Sequence, residues 1–140
     1  MQIVLDTNVL LSALIKDSTT RKLILEYEGK FLLPLYSFEE FEKYQEEIFQ
    51  KSRIQKEDFR ELLDLILNKV TLVSSSSLIP YREEAYEIIK NIDLKDILFV
   101  ACALAHKDSI IWSNDSDLKN KQSKINVINT KEAIEILTSS

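Results

Sequence analysis

The chain has 140 residues, of which 45% are hydrophobic and 29% are charged, and it carries a formal net charge of −5 at pH 7. Such a composition is typical of a globular domain and excludes a disordered or fibrous chain. The acidic excess argues against electrostatic capture of nucleic acid over a broad surface, although it leaves room for a local basic groove. We therefore expect one domain that spans 1–140.

Rare residue types exclude several chemistries. The single glycine, Gly29, cannot build a Walker loop or a G-x-G-x-x-G turn. One histidine, His106, and one cysteine, Cys102, cannot form a tetrahedral zinc site. A Ser-His-Asp system would have to use His106, which follows the apolar run FVACALA and is better placed to face the negative end of a helix dipole.

Sequence features also bear on the location of the protein. A lone cysteine cannot form an internal disulfide, so we expect an intracellular, cytoplasmic protein. The first apolar segment is interrupted at Asp6, which is too early for a signal peptide. No apolar run approaches the roughly 20 residues that a membrane-spanning helix needs, so we expect no membrane partner.

Short apolar runs bounded by polar residues predict strands at 2–5, 31–35, 70–73, 109–112 and 125–128. Apolar residues spaced three and four apart predict helices between them, at 8–15, 19–29, 37–49, 56–70, 82–90, 94–107 and 130–137. We expect Thr19 or Thr20 to cap the second helix, Gly29 to end it, and a loop over the serine run 74–77. Strands that alternate with helices indicate an α/β domain with a mostly parallel sheet.

Acidic residues stand at the ends of these apolar segments. Asp6 follows the first strand, Glu40 the second and Asp115 the fourth. Asp96 opens the helix that is apolar almost all round. Each of them, taken alone, could be part of a helix cap: Asp6 and Asp115 could be N-caps, and the segments SFEE and DLKD, which contain the other two acids, resemble capping boxes.

Taken together, these acids predict a metal site. In a parallel sheet the carboxyl ends of all strands lie along one edge, so Asp6, Glu40 and Asp115 are expected to meet there. Asp96 joins them if its helix starts at the same edge. Clustered carboxylates raise one another's pKa values, and a divalent cation removes that conflict. Because a thiolate or imidazole site cannot be built, the all-oxygen donor set favours Mg²⁺ or Mn²⁺.

Polar neighbours of the acids fit a metal site as well. Ser113 and Asn114 could hydrogen-bond a carboxylate or a metal-bound water. Asn8 could orient the first acid or satisfy the backbone of the turn. Asp117 could reach the same metal, or it could be a cap or a surface residue. Asp93 is interpreted as an N-cap rather than a ligand.

The segments IVLDTNVLLSAL, SFEEFEKY, LKDILFVACALA and IIWSNDSDL carry these residues, and in this order they resemble the PIN-domain family, small metal-dependent nucleases that include VapC-type toxins. The resemblance covers the chain from its first strand to its fourth. It implies a three-layer domain in which helices flank a central, mostly parallel five-stranded sheet, and it implies frequent homodimers. It places the family's functional positions at Asp6, Glu40, Asp96 and Asp115, with a more variable acid at Asp117 and the usual Ser/Thr at Ser113.

The leading interpretation is an endoribonuclease that depends on Mg²⁺ or Mn²⁺ and has RNA as its substrate. The catalytic residues would be the four acids that the resemblance singles out. The expected metal ligands are Asp6, Asp96, Asp115 and Asp117. Glu40 would ligate the metal or help to orient and deprotonate the attacking water. The resemblance also implies the toxin of a toxin–antitoxin pair, with an antitoxin protein as partner.

Three lysines beyond the acid cluster, Lys119, Lys121 and Lys124, could hold phosphates that flank the scissile bond. For any one of these lysines, a position in a solvated loop is the simpler explanation.

Two other functions are compatible with parts of the pattern. A catalytically silent module that binds nucleic acid or protein would keep the fold, but it would not need all of the acids. A metal-dependent phosphatase could use Asp6 as its nucleophile, but such enzymes usually need a second aspartate two residues further on, where Asn8 stands. The apolar helices at 20–28 and 56–70 are numerous for one small sheet to cover, which favours a homodimer.

Overall fold

In residues 1–15 and 18–138, which a computed structural model describes, short strands form one parallel sheet. The strands are β1 (Gln2–Leu5), β2 (Phe31–Pro34), β3 (Val70–Val73), β4 (Ser109–Trp112) and β5 (Val127–Ile128). They pair in the order β3–β2–β1–β4–β5, and every pairing is parallel. The predicted parallel α/β arrangement is therefore confirmed.

Helices connect the strands and flank the sheet. The first part of the chain contributes α1 (Thr7–Ile15), α2 (Ser18–Glu26), α3 (Leu35–Lys43), α4 (Gln45–Ser52) and α5 (Lys56–Leu67). The second part contributes α6 (Ser75–Leu78), α7 (Arg82–Ile89), α8 (Ile97–Ala105), α9 (Ser116–Asn120) and α10 (Thr130–Thr138), with short 3-10 turns at Ile79–Tyr81 and Leu94–Asp96. Among the helices in the described ranges, none is long and apolar enough to cross a membrane.

Both faces of the sheet are covered. All residues of β2 are buried, and so are all but the first residue of β1 and of β4. Because consecutive side chains of a strand point to opposite faces, strands buried in this way need helices on both sides. One of these helices is α8, which contacts β1, β2 and β4 and buries five consecutive residues from Phe99 to Ala103. The helix that the sequence predicts to be buried is thus the one that packs on the central strands of the sheet.

The strand order creates a switch point between β1 and β4. The chain runs from β1 outward to β2 and β3, and later places β4 and β5 on the other side of β1. Ligands of open α/β sheets bind at such a point, outside the carboxyl ends of the strands. Asp6 follows β1 directly, and Asp115 follows the end of β4 after a short turn. The fold therefore brings two of the predicted site residues to its switch point.

The structure corrects the prediction of one helix over 37–49. The segment forms α3 and α4, separated by Tyr44 with φ −108° and ψ 14°. Helix α3 already begins at Leu35, so Ser37 lies inside it and the capping box with Glu40 is not formed. The N-cap is Pro34, which provides no side-chain hydrogen bond. Proline ends the strand and starts the helix here because it donates no ladder hydrogen bond.

Three other local predictions are wrong. The serine run is not a loop: Ser74 accepts a hydrogen bond from the Ser77 amide at 3.4 Å and caps α6, as serine commonly does. Thr19 and Thr20 lie inside α2 rather than before its first residue, and α2 ends three residues before Gly29.

Strand β5 is shorter than the predicted segment 125–128. The side chain of Gln122 donates to the carbonyl of Ile125 at 2.9 Å and accepts from its amide at 2.8 Å. Because these backbone groups are already paired with a side chain, Ile125 does not join the ladder.

Candidate active site

An acidic cleft of about 440 Å³ lies at the carboxyl edge of the sheet. Its lining includes the four predicted catalytic acids, Asp6, Glu40, Asp96 and Asp115. The other lining residues are Thr7, Asn8, Tyr36, Ser37, Asp93, Lys95, Leu98 and Phe99. The fold thus gathers residues from four separate segments of the chain in one cavity, as the parallel sheet predicts.

A buried serine links the two acids at the switch point. The Ser113 hydroxyl, which is 1% exposed, donates to Asp6 Oδ2 at 2.6 Å and accepts from the Asp115 amide at 3.1 Å. The backbone amide of Asp6 donates to the carbonyl of Trp112 at 3.1 Å. Asp6 Oδ1 accepts from the backbone amide of Asn8 at 3.1 Å. These bonds hold the loop after β1 against the loop after β4.

Three carboxylates approach one another most closely. One oxygen from each of Asp93, Asp96 and Asp115 lies within 4.8 Å of the others, and we call these residues the acidic triad. Asp96 is 9% exposed, and among the described residues its Oδ2 has no hydrogen-bond partner. A buried carboxylate oxygen without a donor is costly, so this atom calls for a proton or a cation.

The pKa of Asp96 is raised to about 7. Burial is the largest cause because it disfavours the charged form, and the negative charges of Asp6, Asp115 and Asp93 add to it. The site therefore holds a carboxyl group that is partly protonated near neutral pH unless a cation offsets the crowded charge.

Glu40 lies in the cleft but outside the acidic triad. It is exposed on α3, one turn after Tyr36, whose side chain is 53% exposed and also lines the cleft. A hydrogen bond with Glu40 and the negative charge of that residue raise the pKa of the Tyr36 hydroxyl. An exposed carboxylate outside the triad is placed to contact a substrate or a water molecule.

Asp93 and Asp115 are helix caps, as predicted, and both also belong to the acidic triad. Asp115 Oδ1 accepts from the amides of Asp117 at 2.9 Å and Leu118 at 3.3 Å, and it thereby caps α9. Asp93 Oδ1 accepts from the Lys95 amide at 3.0 Å and caps the turn that ends at Asp96. A capping bond occupies one oxygen of each carboxylate and leaves the other for a ligand.

Some predicted site residues lie elsewhere. Asp117 does not line the cleft; its side chain is 59% exposed and pairs with Lys121 at 3.4 Å. Asn114 Oδ1 accepts from the amide of Thr130 at 2.8 Å, so it holds the start of α10 rather than a carboxylate. Asn8 does line the cleft, but its side chain is exposed, and it is its backbone amide that contacts Asp6.

The three predicted phosphate-binding lysines are outside the cleft. Lys119 Nζ donates to the carbonyl of Val127 at 3.0 Å and pairs with Glu132. Lys121 pairs with Asp117. Lys124 lies in a separate groove beside Glu84, Glu87 and Ile88. The sequence shows that these residues are near Asp115 but not the direction in which their long side chains point.

Sequence reasoning missed Lys95 and Tyr36 and gave Asp93 only a capping role. All three line the cleft. The available signal was position: Lys95 and Asp93 shortly precede the predicted ligand Asp96, and Tyr36 stands four residues before Glu40 on the same helix.

His106 and Cys102 do not line the cleft. His106 Nδ1 lies 2.7 Å from the carbonyl oxygen of Cys102, so this nitrogen carries the proton and donates it. Burial raises the pKa of the Cys102 thiol to about 12, which leaves almost no thiolate at neutral pH. Neither residue takes part in the acidic site.

Comparison with known proteins assigns a family to this fold and site. The sequence profile of the PIN domain matches residues 4–138. The chain belongs to the PIN-domain family. This PIN domain matches no protein in a search of curated sequences. Its fold is similar to that of a chain in the crystal structure of VapBC2 from Rickettsia felis bound to a DNA fragment from their promoter. The two chains superpose with a TM-score of 0.67 and are 17% identical in sequence, and the match covers 92% of this chain and 98% of that chain.

The donor set of this PIN domain fits a hard divalent cation. The triad offers carboxylate oxygens only, and Mg²⁺ and Mn²⁺ prefer such ligands. The unpartnered Oδ2 of Asp96 provides a buried lone pair that a cation would satisfy. The hydrogen bond from Ser113 to Asp6 supplies the kind of supporting contact that fixes a ligand's orientation.

We expect the metal-free protein to lose stability as the pH rises through about 7. The pKa of Asp96 is about 7 in the folded chain and 3.8 in its ordinary state, so the folded state binds more protons between these values. The resulting stabilisation is fully present below pH 3.8 and is lost as the pH rises through about 7. Asp96→Asn has no such titrating proton and should be more stable than the parent at about pH 8.

Urea unfolding in EDTA between about pH 5 and about pH 8 measures this effect. The parent's free energy of unfolding should fall across that range relative to the Asp96→Asn variant. If the difference in unfolding free energy between the two proteins is the same at every pH, the raised pKa does not belong to Asp96.

We also expect Ser113→Ala to weaken the site. The change removes a buried donor from Asp6 and an acceptor from the Asp115 amide, at a cost of about 1–3 kcal/mol in unfolding free energy. Ser109→Ala is the matched control, since Ser109 also donates a hydrogen bond, to Ala103, but at the other end of β4. Thermal melts with and without Mn²⁺ should show weaker metal stabilisation for Ser113→Ala only. Equal metal effects in both variants would remove Ser113 from the site.

Proposed function

We propose that this PIN domain is an endoribonuclease that uses Mg²⁺ or Mn²⁺ to hydrolyse RNA phosphodiester bonds. The observation that carries the proposal is the acidic triad, with its oxygens within 4.8 Å of one another and the unpartnered Oδ2 of Asp96. Asp6 and Glu40 line the same cleft at the switch point of the sheet. Membership in a family that includes metal-dependent nucleases supports the same reaction class.

We assign the metal to Asp6, Asp96 and Asp115, as predicted, and add Asp93 because of its place in the triad. Asp117 is left out of this set because it pairs with Lys121 outside the cleft. Bound Mg²⁺ or Mn²⁺ would make a coordinated water more acidic and offset negative charge on the scissile phosphate. The carboxylates would hold the ion in place, and the Ser113 hydroxyl fixes the orientation of Asp6.

We assign Glu40 the role of proton acceptor. It is exposed in the cleft and lies outside the triad, so its carboxylate can contact a water molecule without being needed as a metal ligand. The water oxygen attacks phosphorus, its proton passes to Glu40, and the leaving alkoxide takes a proton from solvent. Tyr36 lines the same cleft one turn before Glu40 on α3.

We further propose that this activity serves as the toxin of a toxin–antitoxin pair, with an antitoxin protein as partner. The support is the resemblance to VapC-type toxins and the similarity of the fold to a chain of the VapBC2 structure. The homodimer expected from the sequence is part of the same proposal. Exposed apolar residues such as Leu65 on α5, which is 49% exposed, are compatible with it.

We predict that Mg²⁺ or Mn²⁺ stabilises the protein and that the effect depends on the triad. A cation that binds only the folded state stabilises by about 2.7 kcal/mol at 100 times its Kd. Asp96→Asn should be at least as stable as the parent in EDTA, because one crowded charge is removed, and should lose most of the metal effect. Asp64→Asn, which removes an exposed charge from α5 away from the cleft, is the matched control. Melting temperatures that do not respond to either ion would contradict the metal site.

Cleavage of a labelled RNA in Mn²⁺ tests the reaction with conservative variants. Asparagine caps a helix as well as aspartate, so Asp115→Asn keeps the cap of α9 while losing a ligand charge. We expect Asp96→Asn, Asp115→Asn and Glu40→Gln to cut the rate constant by about 10²-fold or more, and Asp64→Asn to leave it unchanged. Near-parent cleavage by Asp96→Asn would refute the site, and a folded, metal-binding parent that cleaves no RNA would favour the silent-module alternative.

Assembly can be examined with the same protein. Sedimentation of the purified chain at micromolar concentration should give the mass of a dimer. If the adjacent reading frame encodes a small protein, co-expression with that protein should yield a complex in which RNA cleavage is suppressed. A monomer mass and no complex would leave the nuclease proposal in place and remove the proposals of a homodimer and an antitoxin.

A further inference from the structure

We propose that Lys95 binds a backbone phosphate of the substrate beside the acidic triad and adds to the local attraction for an anionic strand. The inference rests on the proposed nuclease function and adds a substrate-binding residue to it. It replaces the prediction that Lys119, Lys121 and Lys124 hold the phosphates, since those side chains lie outside the cleft.

Lys95 stands out by its charge. Among the residues that line the cleft in the described part of the chain, it is the one basic side chain. The acidic lining residues are Asp6, Glu40, Asp93, Asp96 and Asp115. A phosphodiester carries a negative charge, and even with a divalent cation bound it meets an excess of carboxylates. A lysine at this position provides local attraction that the net charge of −5 does not.

The ammonium group of Lys95 is not used in an ion pair of the described structure. The ion pairs found in residues 1–15 and 18–138 use Lys51, Lys90, Lys119 and Lys121. Lys95 is exposed and has carboxylates before and after it in sequence, yet its Nζ lies within 4.0 Å of none of them in those ranges. An ammonium group without a carboxylate partner has all three N–H donors available for phosphate oxygens or water.

The backbone of Lys95 is held in place. Its amide donates to Asp93 Oδ1 at 3.0 Å, and the next amide, of Asp96, donates to the Asp93 carbonyl at 3.1 Å. Lys95 therefore lies within a capped 3-10 turn, directly between two members of the triad. A fixed backbone next to the reacting region gives a long side chain a defined origin, so the ammonium group can reach a phosphate adjacent to the scissile one.

Another role for Lys95 is purely structural: it could offset the charge of the carboxylates in the metal-free protein. This role and the phosphate contact predict different results for Lys95→Gln. Loss of a neutralising charge should destabilise the metal-free protein and strengthen divalent-cation binding, with no change in how RNA binding responds to salt. Loss of a phosphate contact should weaken RNA binding uniformly across sequences and reduce the salt dependence by about one counterion.

The experiment compares the parent with Lys95→Gln, Lys95→Arg and a matched control, Lys107→Gln. Lys107 is exposed and lies just before β4, at the end of the sheet opposite the cleft. The kcat/KM for cleavage of a labelled, unstructured RNA is measured at saturating Mn²⁺ over a series of NaCl concentrations. Thermal melts at a series of Mn²⁺ concentrations give, for each variant, the Mn²⁺ concentration that produces half of the full stabilisation, which we call the metal midpoint. Anisotropy of the same RNA with Ca²⁺ in place of Mn²⁺ reports binding separately from cleavage.

We expect Lys95→Gln to lower kcat/KM and RNA affinity by about tenfold and to reduce the slope of log kcat/KM against log salt by about one. Lys95→Arg keeps the positive charge and should retain most of the affinity. Lys107→Gln should behave as the parent. The metal midpoint of Lys95→Gln should be unchanged or slightly lower, because the metal loses a repelling neighbour.

Unchanged kcat/KM and an unchanged salt slope for Lys95→Gln would overturn the inference. So would a loss of activity that disappears at saturating Mn²⁺, since Lys95 would then act only through the metal site. If the parent binds RNA but does not cleave it, the anisotropy data still decide the role of Lys95 while the nuclease proposal fails. If the parent neither binds nor cleaves RNA, both proposals fail.

Discussion

Mutual repulsion between carboxylates is the constraint on which the rest of this site depends. Asp96 is buried beside Asp93 and Asp115, and its pKa is raised to about 7 by burial and by the neighbouring negative charges. Such an arrangement persists only if the surrounding structure holds it. The central pairing of β1 with β4, continued by the hydrogen bonds of Ser113 to Asp6 and Asp115, provides that support. The buried central strands β1 and β4 therefore support a cluster of carboxylates that repel one another.

The carboxylates combine two tasks that sequence reasoning treats as alternatives. Asp115 caps α9 and Asp93 caps the turn before α8, in each case through Oδ1. Asp6 accepts a backbone amide through Oδ1 and the Ser113 hydroxyl through Oδ2. A carboxylate has about four lone-pair sites, so one or two hydrogen bonds orient it without using up its capacity as a ligand. Capping is thus the means by which the chain aims these side chains into the cleft.

The sequence predicts the sheet and the gathering of the acids because both follow from short-range patterns. Buried parallel strands are continuous apolar runs, and a residue that directly follows such a strand has its location set by the backbone. The positions of Asp6 and Asp115 needed no more than that. Helix boundaries near Ser37 and Ser74 were misjudged because serine is equally compatible with a cap, a helix turn and a loop.

The side chains of the lysines could not be placed from the sequence. Lys119 follows Asp115 closely, but its ammonium group joins α9 to β5 and α10 through Val127 and Glu132. Those partners lie 8 and 13 residues further along the chain, and only the folded sheet brings them near. A lysine has four rotatable bonds and several possible carboxylate partners in this acidic chain, so proximity in sequence to a site says little about where its charge acts.

On the proposed function, the distribution of charge also determines whether the metal or the RNA binds to the cleft first. With a net charge of −5, the chain exerts little long-range attraction on a polyanion, so recognition must rely on local contacts. On the proposed function, a phosphate approaching the metal-free cleft would meet the acidic triad, Asp6 and Glu40, with Lys95 as the one basic side chain among the described lining residues. A divalent cation that neutralises those carboxylates first converts the same surface into one that a phosphate can approach. Lys95, which stands between Asp93 and Asp96, can add to that attraction only once the surrounding negative charge is offset. Metal binding therefore precedes RNA binding in this scheme, because the electrostatic energy of the cleft leaves the opposite order unfavourable.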